Sequence, residues 1–306
     1  MANPSKYNMD HAKRGIALII NISKYEPNNF NPKLEERKWS EKDVENLTKT
    51  LKYLEFDVKL EENLTKSEIE ERLKQIVSFD HKDFDCFLCV VMSHGNEDNI
   101  VTRDNKLISF EEIMAPIKLC PTLENKPKMF FFQACRGENK MNQRPPTSKS
   151  RACLSLFSRL LFFQACRREN KIESRASSAS STNSSRGERM SDFASSSNLQ
   201  SNVNKNIETK FESESDLLIY FSTLPNHLSW SVDKNEGTIF IKSFCDVFND
   251  AYKNLPNNMS LAQMITRINK SVSEKRLQVP VPEFRINKEI KFLPKEVSLV
   301  FNFSKP

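Results

Sequence analysis

A cysteine and a histidine 41 residues apart each close a run of apolar residues. Cys135 follows "KMFFFQA" and His94 follows "CFLCVVMS". A thiolate is a strong nucleophile, and an imidazole beside it can take its proton and later pass it to a leaving amine. Gly95 leaves a bare backbone N–H next to the histidine. Together with the N–H of Cys135 it could hold a developing oxyanion. Read singly, these residues are unremarkable, since a cysteine at a strand end is usually a small buried hydrophobe. The chain also carries the cysteine segment twice. "FFQACRGENK" at Phe131–Lys140 returns as "FFQACRRENK" at Phe162–Lys171, with Arg168 in place of Gly137. The first copy follows an unbroken apolar run and ends in a glycine that frees the turn. The second follows "SLFSRLL", interrupted by Arg159, and Cys166 lies 72 residues beyond His94. The chemistry is therefore assigned to Cys135, and Cys166 reads as a duplication within a linker.

Two such residues meet only if their strands lie side by side. The sequence alternates strand and helix signals in the way an α/β domain does. "GIALIINI", "FDVKLEENL", "DCFLCVVMSHG", "KMFFFQACRG", "DLLIYFSTLP" and "KEVSLVFNF" read as strands. Helical spacing runs through Ser40–Leu54, with Ser40 as N-cap and Asp43 three residues on as its partner, and through "TKSEIEERLKQIV", capped by Thr65. "SFEEIMAPIKL", "TIFIKSFCDVFNDAY" and "SLAQMITRINKSV" complete the helices. The near-continuous apolar strands predict a mostly parallel sheet with helices on both faces, with a site at the carboxyl ends of the strands. Cys86 and Cys89 have CxxC spacing but no second pair. Three apart on a strand, they point to opposite faces and read as core thiols rather than a metal site.

The net charge of +6 is local. Residues 138–210 hold thirteen Lys/Arg against six Asp/Glu, so the remainder is close to neutral. The excess belongs to a serine-rich, apolar-poor segment expected to be disordered, not to a nucleic-acid-binding face. No apolar run is long enough for a membrane span and no secretory signal stands at the start, which predicts a cytoplasmic protein with reduced thiols.

"QACRG" at Gln133–Gly137, with a histidine tens of residues upstream, resembles the active-site signature of the caspases. "VVMSHGNED", "EERKWSEKDVENL", "LIYFSTLPNHLSW" and "LPKEVSLVFNF" resemble further segments of that family in its order. The resemblance implies a caspase-like three-layer sandwich around a six-stranded sheet. It implies an endopeptidase that cuts after aspartate without a cofactor or metal, with Cys135 as nucleophile and His94 as acid/base. Gly95 and Cys135 would supply the oxyanion N–H groups. Arg37 and Gln133 would line the aspartate pocket, and Trp230 would wall the neighbouring subsites. It divides the chain into a short prodomain (1–12), a large-subunit part (13–137), a linker (138–210) and a small-subunit part (211–306). The short prodomain resembles that of an executioner in apoptosis. The one aspartate of the linker, Asp192, marks a processing site before Phe193. Implied partners are proteins with an exposed aspartate, a second caspase chain (a homodimer or heterodimer through Val297–Phe303), and inhibitor-of-apoptosis proteins.

Two positions depart from the family's pattern. Ser231 stands where an arginine usually contacts the substrate aspartate, and Trp39 replaces a common glycine. A guanidinium–carboxylate pair is charge-assisted and bidentate, and serine cannot replace it. A catalytically weak homologue that acts as a decoy or dimerisation partner is therefore the alternative expectation.

Overall fold

The computed structural model describes residues 5–27, 34–136, 214–233, 236–253, 259–275 and 278–295. The duplicated segment, Asp192 and Val297–Phe303 lie outside them. Five parallel strands and one antiparallel strand form the main sheet. These are β1 (Ile16–Asn21), β2 (Asp57–Glu62), β3 (Phe87–Met92), β6 (Lys128–Gln133), β7 (Leu217–Phe221) and β10 (Val281–Arg285). Their order is β10-β7-β6-β3-β1-β2. Two short hairpins stand apart from it, β4 (Asn99–Val101) with β5 (Leu107–Ser109), and β8 (Ser231–Asp233) with β9 (Gly237–Thr238).

The central strands β1, β3, β6 and β7 are buried on both faces, which is why they read as unbroken apolar runs. Alternate residues feed two cores. Ala17, Ile19, Leu88, Val90 and Phe131 pack with helix α1 (Ser40–Tyr53), α4 (Ile239–Lys253) and α5 (Leu261–Lys275). Ile16, Leu18, Phe87, Val91 and Phe132 pack with α2 (Lys66–Ser78) and α3 (Phe110–Lys118) on the other face. Cys86 falls in the first cluster and Cys89 in the second, as the strand period requires. The result is the three-layer α/β sandwich that the sequence predicts.

One expectation needs correction, and one strand is an addition. Ser40 is not the N-cap of α1. Trp39 takes that place in ordinary right-handed geometry (φ −83°, ψ −11°), and the Ser40 hydroxyl instead donates to the Arg37 carbonyl oxygen at 2.8 Å. The Ser40 N–H also donates to the Arg37 carbonyl at 3.0 Å, so Ser40 already belongs to the first turn, and Asp43, three residues on, accepts the Thr238 N–H instead. The same geometry shows that the backbone at Trp39 has no need of a glycine. A strand that the sequence reading lacks, Val281–Arg285, pairs antiparallel with β7 and closes the described sheet, while the expected strand after Lys295 lies outside the described residues. Pro280 and Pro282 hide this strand from pattern reading. Pro282 pairs opposite Tyr220 on a terminal strand, the one place in a sheet where a missing N–H costs little. The cap at Thr65 matches its reading, with Glu68 closing a reciprocal box.

Candidate active site

β3 and β6 are hydrogen-bonded neighbours with Met92 opposite Gln133. His94 and Cys135 each stand two residues beyond that last pair, so the sheet's register alone brings them to one rim. The Ser93 N–H extends the ladder to the Gln133 carbonyl at 3.2 Å. Gly95 then runs against the cysteine segment. A Cβ there would lie 2.6 Å from the Asn99 carbonyl oxygen and 3.2 Å from that of Cys135, so no larger residue fits. Among the described residues, neither the Gly95 nor the Cys135 N–H donates a hydrogen bond.

His94 is held from three sides. Its Nε2 lies 2.8 Å from the Glu35 carbonyl oxygen, its own N–H donates to the Tyr25 hydroxyl at 3.1 Å, and the Tyr25 ring lies 5.1 Å from the imidazole. A carbonyl only accepts, so Nε2 carries the proton and the lone pair sits on Nδ1. Burial holds the imidazole below its ordinary value, and the Arg37 charge adds to this, against the pull of the Glu35 carbonyl. Burial also pushes the Cys135 thiol up, while the Ser229 N–H, 3.5 Å from Sγ, and the Arg37 charge draw it down. At rest the site therefore holds a neutral thiol and a neutral base, and among the described residues no hydrogen bond joins them. The chemistry this allows is proton removal at the moment of attack.

Arg37 donates through Nη1 to the Ile22 carbonyl at 3.0 Å and to Asn21 Oδ1 at 3.3 Å, close enough for its charge to act on both His94 and Cys135. Gln133 is buried, and its Nε2 lies 2.9 Å from Ser229 Oγ. Trp230 packs against the first core, and its N–H donates to Gln278 Oε1 at 2.8 Å. Ser231 begins β8, opposite Thr238. His94, Gly95, Gln133 and Cys135 thus lie on or just beyond β3 and β6, whereas Arg37 precedes α1 and Trp230 and Ser231 follow β7.

Several participants carry no sequence signal. Glu35 acts through its carbonyl, which no side chain announces. Tyr25 reads as part of a loop. Gln278 is a lone polar residue before Pro280, yet it is 1% exposed and bridges Ser222, Ser229 and Trp230. Asp43 is fully buried, accepts the Thr238 N–H at 2.8 Å, and is pushed up to about 6 by burial. Gly237, with φ +80°, sits where a Cβ would be 2.3 Å from that carboxylate.

Among the described residues no group of three or more His, Cys, Asp and Glu could hold a metal ion, and no helix is long and apolar enough to cross a membrane.

The chain is 27% identical to mouse caspase-8 over 300 residues, covering 94% of this chain and 53% of the relative. It is 27% identical to chicken caspase-7 over 287 residues, covering 93% and 75%. It spans about half the length of caspase-8. The crystal structure of caspase-1 from Spodoptera frugiperda superposes with a TM-score of 0.67 at 23% identity, covering 96% of this chain and 98% of that one, a likeness of fold. The sequence pattern of the Caspase domain matches residues 14–291, so the chain belongs to the caspase family, a family of cysteine-type peptidases.

Proposed function

We propose that this chain is a cysteine endopeptidase that cleaves proteins after aspartate. The observation that carries the reading is the pairing of β3 with β6, which sets a pinned imidazole and a thiol on one rim beside two backbone N–H groups that have no partner among the described residues. His94 Nδ1 takes the thiol proton as Sγ attacks the scissile carbonyl carbon. The oxyanion falls between the N–H groups of Gly95 and Cys135. The imidazolium then gives its proton to the leaving amine as the C–N bond breaks. Water, deprotonated by the same imidazole, releases the acyl group from Cys135. Arg37 pairs with the substrate aspartate, Gln133 adds a hydrogen bond, and Trp230 walls the adjoining subsites. Cleavage after Asp192 would part 13–137 from 211–306 within the 138–210 linker. The corresponding cellular reading is the executioner-type role in cell death that the motif resemblance implies, as one of two paired chains.

A second reading has its own observation. Ser231 leaves the pocket one guanidinium short of the family's pattern, which favours a weak enzyme or a decoy that pairs with a working caspase. Turnover of an aspartyl fluorogenic peptide by the purified chain, against Cys135→Ala as blank, separates the two. Turnover lost in Cys135→Ala supports the protease. No turnover above that blank, restored by Ser231→Arg, supports the decoy.

A further inference from the structure

Gln278 makes three hydrogen bonds whose directions are fixed. Its Oε1 accepts the Trp230 N–H at 2.8 Å, and its Nε2 donates to the Ser222 carbonyl at 2.7 Å. A backbone N–H cannot accept and a carbonyl cannot donate, so this amide has one orientation. The second Nε2–H then points to Ser229 Oγ at 3.2 Å. Ser229 Oγ must accept from Gln278, which leaves its own proton to give away. The neighbour within reach of that proton among the described residues is the Gln133 amide at 2.9 Å. With Nε2 of Gln133 facing Ser229, both amides donate to the hydroxyl oxygen, and among the described residues the hydroxyl proton has no acceptor and the buried Gln133 Oε1 has no donor. A half-turn of the Gln133 amide satisfies the hydroxyl proton and Oε1 together and leaves the NH2 as the group without a partner among the described residues. Oε1 then accepts the Ser229 proton, and the NH2 occupies the unpartnered end.

We propose that Gln278, acting through the Ser229 hydroxyl, is a positioning residue that sets the polarity of the Gln133 amide, so that Gln133 offers substrate an NH2 donor and not a carbonyl acceptor. The proposal rests on the reading of Gln133 as a pocket residue. Its consequence is specificity. In the proposed pocket this NH2 and the Arg37 guanidinium give two donor groups, which match the two acceptor oxygens of aspartate. Asparagine offers one acceptor and a clashing NH2. In a chain with Ser231 in place of a second pocket arginine, the fixed NH2 carries a larger share of that discrimination. The family signature names Gln133, but the two residues that orient it lie 96 and 145 positions further along the chain.

The test is the ratio of kcat/KM for peptides that differ only in aspartate or asparagine at the cleaved position. Ser229→Ala leaves the Gln133 amide free to turn, and the ratio is expected to fall about tenfold, the scale of one lost charge-assisted hydrogen bond. Ser229→Thr keeps a hydroxyl and is expected to keep the ratio. Gln278→Met is expected to narrow it as Ser229→Ala does, with little further loss in the double variant. An unchanged ratio in Ser229→Ala overturns the proposal. A second measurement does not depend on turnover. In the NMR spectrum of the full chain, Ser229→Ala should strip a hydrogen-bonded side-chain proton from Gln278 and none from Gln133. Loss of a hydrogen-bonded Gln133 proton reverses the polarity and sinks the proposal even if the wild-type chain cleaves nothing. Absence of wild-type cleavage alone counts against the protease reading and leaves the NMR result to decide this one.

Discussion

Cys135 and His94 hang from two neighbouring strands in the middle of a six-stranded sheet, whereas Trp230 and Ser231 adjoin a three-residue strand whose partner, β9, is two residues long. The first pair is set by a ladder of parallel register and by cores on both faces. The second is set by a few buried polar contacts: Gln278 on Trp230, the Ile239 N–H on the Trp230 carbonyl, and Asp43 on Thr238. On the proposed reading, the bond-breaking groups are thus built into the scaffold, and the recognition groups are tied to it. A change at the rim removes chemistry, while a change at the hairpin re-tunes which substrate is accepted.

The largest effect tests the rim. Cys135→Ala should lower aspartyl-peptide kcat by at least about four orders of magnitude without lowering the melting temperature. Cys166→Ala should leave kcat unchanged. If the two outcomes are exchanged, the assignment of the working copy is wrong. Arg37→Lys comes next. It keeps a charge but loses the planar fork, and about a hundredfold loss in kcat/KM is expected, carried mainly by KM. A loss carried by kcat alone would place Arg37 with the thiol rather than with the pocket.

At the hairpin the expected change is a gain. Ser231→Arg should raise kcat/KM for aspartyl peptides about tenfold or more, the scale of one charge-assisted hydrogen bond. The direction sharpens the comparison, since a rim built by register has no such slack. No gain would show that Ser231 does not face the substrate carboxylate.

The rim was legible in the sequence and the ties were not, for a physical reason. Strands buried on both faces show as apolar runs, and the residues just past their ends show as polar interruptions, so His94, Gly95 and Cys135 could be found by eye. The sheet's edge was harder. β10 contains Pro282 and shows neither an apolar run nor clean alternation, while Val297–Phe303, which alternates well, lies outside the described residues. The ties are single polar residues whose meaning depends on contacts up to 195 positions away, as between Asp43 and Thr238. Asp43 was legible only as a partner for a Ser40 cap, a local role that the distant N–H displaces. Glu35 contributes a backbone oxygen, which its side chain does not advertise.

The smallest effect on turnover, and the clearest on stability, belongs to Asp43. Burial raises it from 3.8 to about 6, against the opposing hydrogen bonds of Thr238 and the charge of Arg37. Among the described residues its Oδ2 has no hydrogen-bond partner, and the Cys245 thiol on α4 is close enough to feel its charge. A raised carboxyl binds more protons folded than unfolded between about pH 4 and pH 6, so stability falls as pH rises through that window. Below it both states are protonated and the cost is absent. Above it the cost is complete, on the order of 3 kcal/mol at about 1.4 kcal/mol per unit. Asp43→Asn keeps an oxygen for the Thr238 N–H and never ionises. Its other end is an NH2, which adds a cost that does not vary with pH. The melting temperature of the variant relative to wild type should therefore climb between pH 4 and pH 7, because all other titrations are common to both chains and cancel. Parallel curves across that range would show that Asp43 is ionised at its ordinary value, with Arg37 or water compensating its burial, and that the hairpin's tie is a charged one.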